Sequence, residues 1–251
     1  MAPASTFAEL WSSIDGVEGW LTEAQARRLA DAAAAVGQGG RIVEIGSYRG
    51  RSAIVLASSA ADSVEVVAID PHAGNDRGPM EIKGTAAQGN DDHEQFLANL
   101  RAAGVADRVT HVRLTSQDAH REVGAPIDLL YVDGAHRFRP ALDDIVRWGD
   151  KVRLGGTMLV HDSFNSVGVT LAQLRALLFG RTFRYVGRST SMSEYRRVRP
   201  MSLPQRARNV AVQLAQLGYF AQSIAIKVAI VAKQPRLARA LGHRGDSPWP
   251  Y

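Results

Sequence analysis

The sequence predicts a doubly wound α/β fold: a Rossmann-like sheet of about seven strands with helices on both faces, followed by a basic, mainly helical C-terminal tail. Three observations carry this expectation. Short Val/Ile-rich runs alternate with helical patterns over the first 200 residues. The first five runs are continuously apolar, as strands covered on both faces read. Positive charge collects at the end of the chain, where Arg206, Arg208, Lys227, Lys233, Arg236, Arg239 and Arg244 face Asp246 alone.

In chain order, Thr22–Val36 reads as a helix opened by the capping box Thr22-Glu-Ala-Gln25. Strands follow at Arg41–Ile45, Val64–Ile69, Val109–Leu114, Ile127–Val132 and Thr157–Val160, and two more at Thr182–Val186 and Glu194–Val198. Helical patterns fill the gaps at Ser52–Ser59, Asp91–Ala103, Pro140–Lys151 and Val167–Leu178. Strands alternating with helices indicate βαβ units. Residues 71–92 are rich in Gly, Asn, Asp and Pro and read as a functional loop or lid. Domain organisation follows: residues 1–200 form one domain and 201–251 an extension. Val210, Leu214, Leu217, Phe220 and Ile224 stand at helical spacing in that extension, while Ser223–Lys233 also alternates.

Composition narrows the chemistry. The 251 residues are 45% hydrophobic and 22% charged, enough for a sizeable core. With no cysteine, thiol nucleophiles, disulfides and zinc–thiolate or iron–sulfur sites are excluded. No signal-peptide pattern opens the chain, and cytosol is the expected compartment. The net charge of +5 separates into a tail of +6 and a body of −1. That distribution argues against a nucleic-acid-binding domain. The tail is expected to serve as a packing arm or homodimer contact, or to touch a membrane surface with its apolar, Lys/Arg-flanked run.

Candidate functional residues fall at strand ends. The first strand runs into Glu44-Ile-Gly46-Ser47-Tyr48-Arg49-Gly50-Arg51-Ser52. A strand, a glycine turn and a helix start make a nucleotide-binding layout, because glycines admit the ligand and free N–H groups attract it. The dinucleotide and P-loop glycine motifs are both absent. The second strand ends in Asp70, where a carboxylate can grip a ribose. After the third come Thr115-Ser116-Gln117-Asp118, placed to read an adenine edge. The fourth ends in Asp133-Gly-Ala-His136 and the fifth in His161-Asp162. Asp133, His161 and Asp162 could together ligate a divalent cation, which lowers the pKa of a bound hydroxyl. His136 suits a general base, since histidine titrates near neutrality. Asp143 and Asp144 read as a solvated helix face, His93 as surface, and His72 as a residue near substrate or lid.

These motifs resemble class I S-adenosylmethionine-dependent methyltransferases. Within that class, residues 40–200 are similar to metal-dependent O-methyltransferases of bacterial sugar and secondary metabolism, the macrocin O-methyltransferase and cephalosporin-hydroxylase-like group. The methylmannose-polysaccharide O-methyltransferases of mycobacteria are one such kind. The resemblance implies S-adenosylmethionine as cofactor, with Glu44, Gly46 and Ser47 at its methionine end, Asp70 at its ribose, Ser116 and Gln117 at its adenine, and Asp133 alongside. It also implies Mg²⁺ held by strand-end acids; His161 stands where the group has an acid, which admits Mn²⁺. The polar residues of the 71–92 loop favour a sugar or glycoside hydroxyl as acceptor. An RNA methyltransferase and a non-catalytic adenosyl-binding regulator are the alternatives.

Overall fold

The computed structural model describes residues 6–74 and 84–243. Two helices, α1 (Phe7–Ser13) and α2 (Glu23–Ala34), precede the sheet. The chain then alternates: β1 (Arg41–Ile45), α3 (Arg51–Ser59), β2 (Glu65–Ile69), α4 (Ala86–Ala102), β3 (Val109–Val112), α5 (Ser116–Glu122), β4 (Ile127–Val132), α6 (Phe138–Asp143), β5 (Val152–Val160) and α7 (Val167–Leu177). A hairpin of β6 (Phe183–Ser189) and β7 (Met192–Arg197) follows, and then α8 (Leu203–Leu214), α9 (Leu217–Val231) and α10 (Pro235–Ala240).

The seven strands order as β3-β2-β1-β4-β5-β7-β6. Strands β1 to β5 are parallel, and β7 runs antiparallel between β5 and β6. Successive residues on a strand point to opposite faces, and here both faces are apolar. Ile42, Val66 and Leu129 enter a core under α2, α3 and α4; Val43, Val67 and Leu130 enter another that includes Ala119, Ile145 and Ala172. This two-sided burial is why the strands read as continuous apolar runs.

Local sequence sets most helix starts. Thr22 with Gln25 and Thr85 with Gln88 form reciprocal capping boxes. The second box starts α4 at Ala86, so the expected 71–92 loop is shorter than its composition suggests; residues 75–83 of it lie outside the described residues. Residues 116–122, outside the helices expected from sequence, form a helix capped by Thr115. The ambiguous stretch Ser223–Lys233 is helical up to Val231. The expected helix Pro140–Lys151 changes to π-type winding at Asp144–Trp148.

The C-terminal extension is fastened to the body by buried polar groups. Asn209 of α8 accepts from the Tyr185 amide at 2.8 Å and donates to the Phe183 carbonyl at 3.3 Å. It thereby satisfies part of β6, the edge strand whose backbone would otherwise be unpaired. Gln213 accepts from the Tyr195 hydroxyl at 3.1 Å, and Lys227 of α9 donates to the Asn165 carbonyl at 2.8 Å.

Candidate active site

Strand order reverses between β1 and β4, because the chain leaves β1 toward β2 and returns on the other side. Loops diverge there and open a crevice at the carboxyl ends of the strands. The crevice has a volume of about 380 Å³, within the range of small-ligand pockets.

Gly46 makes the floor. Its φ is +86°, and a Cβ on it would stand 2.1 Å from the Asp133 carbonyl oxygen. Glycine alone allows this approach. Ladder bonds then lock the strand ends: the Gly46 amide donates to Ile69 O and the Asp133 amide to Ile45 O, each at 2.8 Å.

Asp70 holds the glycine loop. Its Oδ2 accepts from the Ser47 and Tyr48 amides at 3.0 and 2.8 Å, and Oδ1 accepts from the His72 amide at 2.8 Å. An ionised carboxylate has about four lone-pair sites, so one remains for a ligand hydroxyl. His72 Nε2–H donates to the Tyr48 carbonyl at 2.7 Å, joining two residues that are both left-handed, at φ +45° and +43°. Such strain in non-glycine residues collects at ligand sites. Ser47, Ser116 and Gln117 line the same crevice. The Trp148 indole N–H fixes the Ser116 backbone by donating to its carbonyl at 3.2 Å.

Glu44 lies beneath that floor and is 0% exposed. Neither of its oxygens completes a hydrogen bond. Burial pushes its pKa up to about 8, opposed in part by the nearby Ser52 and Ser47 hydroxyls.

The inner end of the crevice gathers the strand-four and strand-five residues. Asp133, His136 and Asp162 bring ligand atoms within 4.8 Å of one another. His136 Nε2 is 2.8 Å from Asp162 Oδ2. His161, almost wholly buried, sets its Nδ1 3.0 Å from Asp133 Oδ1 and 3.5 Å from Asp162 Oδ2. The Tyr131 hydroxyl donates to Asp133 Oδ2 and the Asn165 amide to Asp162 Oδ1, both at 2.9 Å. Burial works against charge on either imidazole, but the two carboxylates outweigh it. His136 is raised above its usual value by Asp162 and Asp133, and His161 well above it by Asp133 and Asp162. Burial also opposes ionisation of Asp162, yet His161 and His136 hold its carboxyl well below the ordinary range. Each imidazole thus stands against a carboxylate, His136 beside Asp162 and His161 beside Asp133. The three-atom group therefore contains His136, with His161 paired to both acids.

Several residues of the crevice escaped sequence reasoning. Glu18, Trp20 and Leu21, between α1 and α2, line the crevice. Trp20 lies 5.2 Å from the Tyr48 ring, and the Tyr48 hydroxyl donates to Glu18 at 3.1 Å. Only the unpaired aromatic in the segment Glu18-Gly-Trp20-Leu could have signalled this. Asp144 corrects an expectation: Asp143 is solvated, but Asp144 is only 4% exposed. The π-type winding departs from the helical period on which the sequence reading rested. Burial raises its pKa to about 6, with the Ser116 hydroxyl lowering it in part. His93 is half-buried rather than at the surface, its ring 5.2 Å from His72 and 5.0 Å from His111.

The residues present fit the groups the sequence implied. Glu44, expected from sequence at the cofactor's methionine end, is sealed beneath the floor and outside the crevice lining, whereas Asp70 lines the crevice and keeps capacity for a hydroxyl. The carboxylates of Asp133 and Asp162 suit a hard cation such as Mg²⁺ or Mn²⁺.

Comparison with known proteins agrees with the geometry. The methyltransferase domain family matches residues 43–163, the stretch that supplies most of the crevice. Cofactor-bound Rv0187 from MTB is 22% identical, with TM-score 0.53, covering 80% of this chain and 92% of that one. A putative rRNA-methylase from Clostridium thermocellum is 13% identical, with TM-score 0.51, covering 73% and 100%. The O-methyltransferase TomG from Streptomyces achromogenes, solved with SAM, is 17% identical, with TM-score 0.51, covering 78% and 90%. At such identities these structures share the fold, and one fold hosts different acceptors. Residues 43–163 thus match the methyltransferase domain family, and the sheet order with the crevice at its reversal is the fold these structures share.

Proposed function

We propose that the enzyme transfers the methyl group of S-adenosylmethionine to a hydroxyl of a sugar or glycoside, with a divalent cation at Asp133 and Asp162 and His136 as general base. The observation that carries this reading is the gathering of Asp133, His136 and Asp162 within 4.8 Å, in the crevice that also holds the Asp70 loop.

When bound, the cofactor supplies an electrophilic sulfonium methyl and the cation lowers the pKa of a nearby hydroxyl. The chain's own residues do the rest. Asp70 and the amides it orders hold the nucleoside; Ser116 and Gln117 face its base. His136, its Nε2–H donating to Asp162, accepts the acceptor's proton at Nδ1, while His161, beside both acids, fixes their direction. Trp20 and Tyr48 offer aromatic faces at the crevice, and Glu18 and Arg137 add charged groups. That mixture suits a polyhydroxylated ring, which has both apolar faces and hydrogen-bonding edges.

The test is methyl transfer from labelled S-adenosylmethionine to sugars, phenols and an RNA oligonucleotide, with and without EDTA. Labelled sugar, lost on chelation and restored by Mg²⁺ or Mn²⁺, supports the reading. Label on RNA alone replaces it with RNA methylation.

A further inference from the structure

The extension behind the active site presents a feature that methyl transfer does not use. Helices α8 and α9 follow one another with only Ala215 and Gln216 between them, both in right-handed helical conformation. Positions 203, 207, 210, 214, 217, 221, 224, 228 and 231 are all apolar, in strict steps of four and three residues. Such steps mark one continuous stripe along a helix. The stripe faces outward: Leu203 is 75% exposed, Val228 62% and Val231 72%, with Leu214 and Leu217 exposed as well. Leu203–Val231 is long and apolar enough to cross a membrane, by composition alone.

We propose that this stripe docks the enzyme flat on an anionic lipid surface. Charge selects the occupant. Between Glu194 and Asp246 the chain has no acidic residue, while Arg199, Arg206, Arg208, Lys227, Lys233, Arg236 and Arg239 lie in its described part. An apolar stripe in a purely cationic segment is the pattern of an interfacial helix on acidic headgroups. A second copy would set two such segments against each other, without the opposite charges that pair coiled-coil helices.

A second cationic feature lies on the other side of α8. Arg184, Arg188, Arg199 and Arg208 line a groove between the β6–β7 hairpin and α8, and no acid is among its lining residues. Guanidinium groups gathered without a counter-charge suit phosphate headgroups. Val212 of the groove wall is two residues from both Val210 and Leu214, so the groove opens on the other side of α8, whereas Lys233 and Arg236, just beyond the end of the stripe, are exposed.

The helix lies on the surface rather than spanning it, because its other face belongs to the body. Asn209, Gln213, Ser223, Ile226 and Ala229 are buried, and Lys227 is bound to Asn165 O at 2.8 Å. The proposal is independent of the acceptor and of methyl transfer.

The experiment is co-sedimentation of the full chain with vesicles of phosphatidylglycerol and phosphatidylcholine, against phosphatidylcholine alone. Binding is expected on the anionic vesicles only, weakening as salt rises. Val228→Glu/Val231→Glu should abolish it, and Lys233→Ala/Arg236→Ala should weaken it about thirtyfold, the effect of removing two interfacial cations. Thermal melting and S-adenosylmethionine binding, expected to be unchanged, show that the variants fold. Equal binding to neutral vesicles, no binding to either, or full binding by the glutamate variant overturns the proposal. A concentration-dependent dimer by light scattering, lost in the glutamate variant, assigns the stripe to a second copy instead.

Discussion

His136 Nε2 stands 2.8 Å from Asp162 Oδ2, so the loop after β4 is tied to the end of β5 across the crevice. The contact gives His136 two properties at once. It fixes the ring beside the acid pair, and it raises the imidazole's proton affinity against the opposing effect of burial. A base must be neutral to accept a proton, so turnover should rise with pH through a value above that of free histidine. His136→Ala should lose about 10²–10⁴ in turnover together with this ionisation. A pH–rate profile of wild type and variant checks both; a variant that keeps the profile puts the base elsewhere.

Asp162→Asn should remove cation-assisted turnover and leave S-adenosylmethionine affinity nearly unchanged, since the cofactor loop is held by Asp70. Activity measured against added Mn²⁺, together with calorimetry of cofactor binding, separates the two effects. Full activity of wild type after exhaustive chelation would remove the metal from the mechanism.

Asp70→Ala should act in the opposite sense. It deletes the acceptor for three loop amides as well as the site left for a ribose hydroxyl. Charge-assisted contacts of this kind are worth about 2–3 kcal/mol, so cofactor affinity should fall about thirtyfold or more by calorimetry.

Gly46→Ala tests the floor. The added methyl would sit 2.1 Å from the Asp133 carbonyl, at a φ of +86° that alanine resists. Overpacking and left-handed strain together should cost about 2–4 kcal/mol, read as a lowered urea midpoint.

Glu44 makes stability depend on pH. Its pKa is about 8 in the fold against an ordinary 4.5. Between those values the folded protein keeps a proton that the unfolded chain has released, so stability falls as pH rises through the window. Glu44→Gln should flatten that decline, with a gain on the order of 3–5 kcal/mol at pH 8 and almost none at pH 4. Melting curves across the range measure it.

What the sequence by itself determined is local and periodic. β1 and β4 have the expected limits, Arg41–Ile45 and Ile127–Val132, because strands covered on both faces leave an unbroken apolar run. The parallel sheet then brings the residues after those runs to one edge, so Gly46, Asp70, Ser116, Asp133, His136 and Asp162 could be named from strand ends alone. The cationic tail was legible as composition. Tertiary structure decided what depends on contacts between distant segments. Trp20 meets Tyr48 only once α1 and α2 fold back over β1. Asp144 turns inward through π-type winding, which the helical period does not encode. His136 and His161 stand at similar strand ends, and only the side-chain positions show that His161 lies behind both acids while His136 joins the group of three. The apolar positions of α8 and α9 repeat in the sequence as a core-facing stripe would. Their exposure was settled by Asn209, Gln213 and Lys227, whose buried hydrogen bonds hold the opposite face against the body and leave the stripe outside.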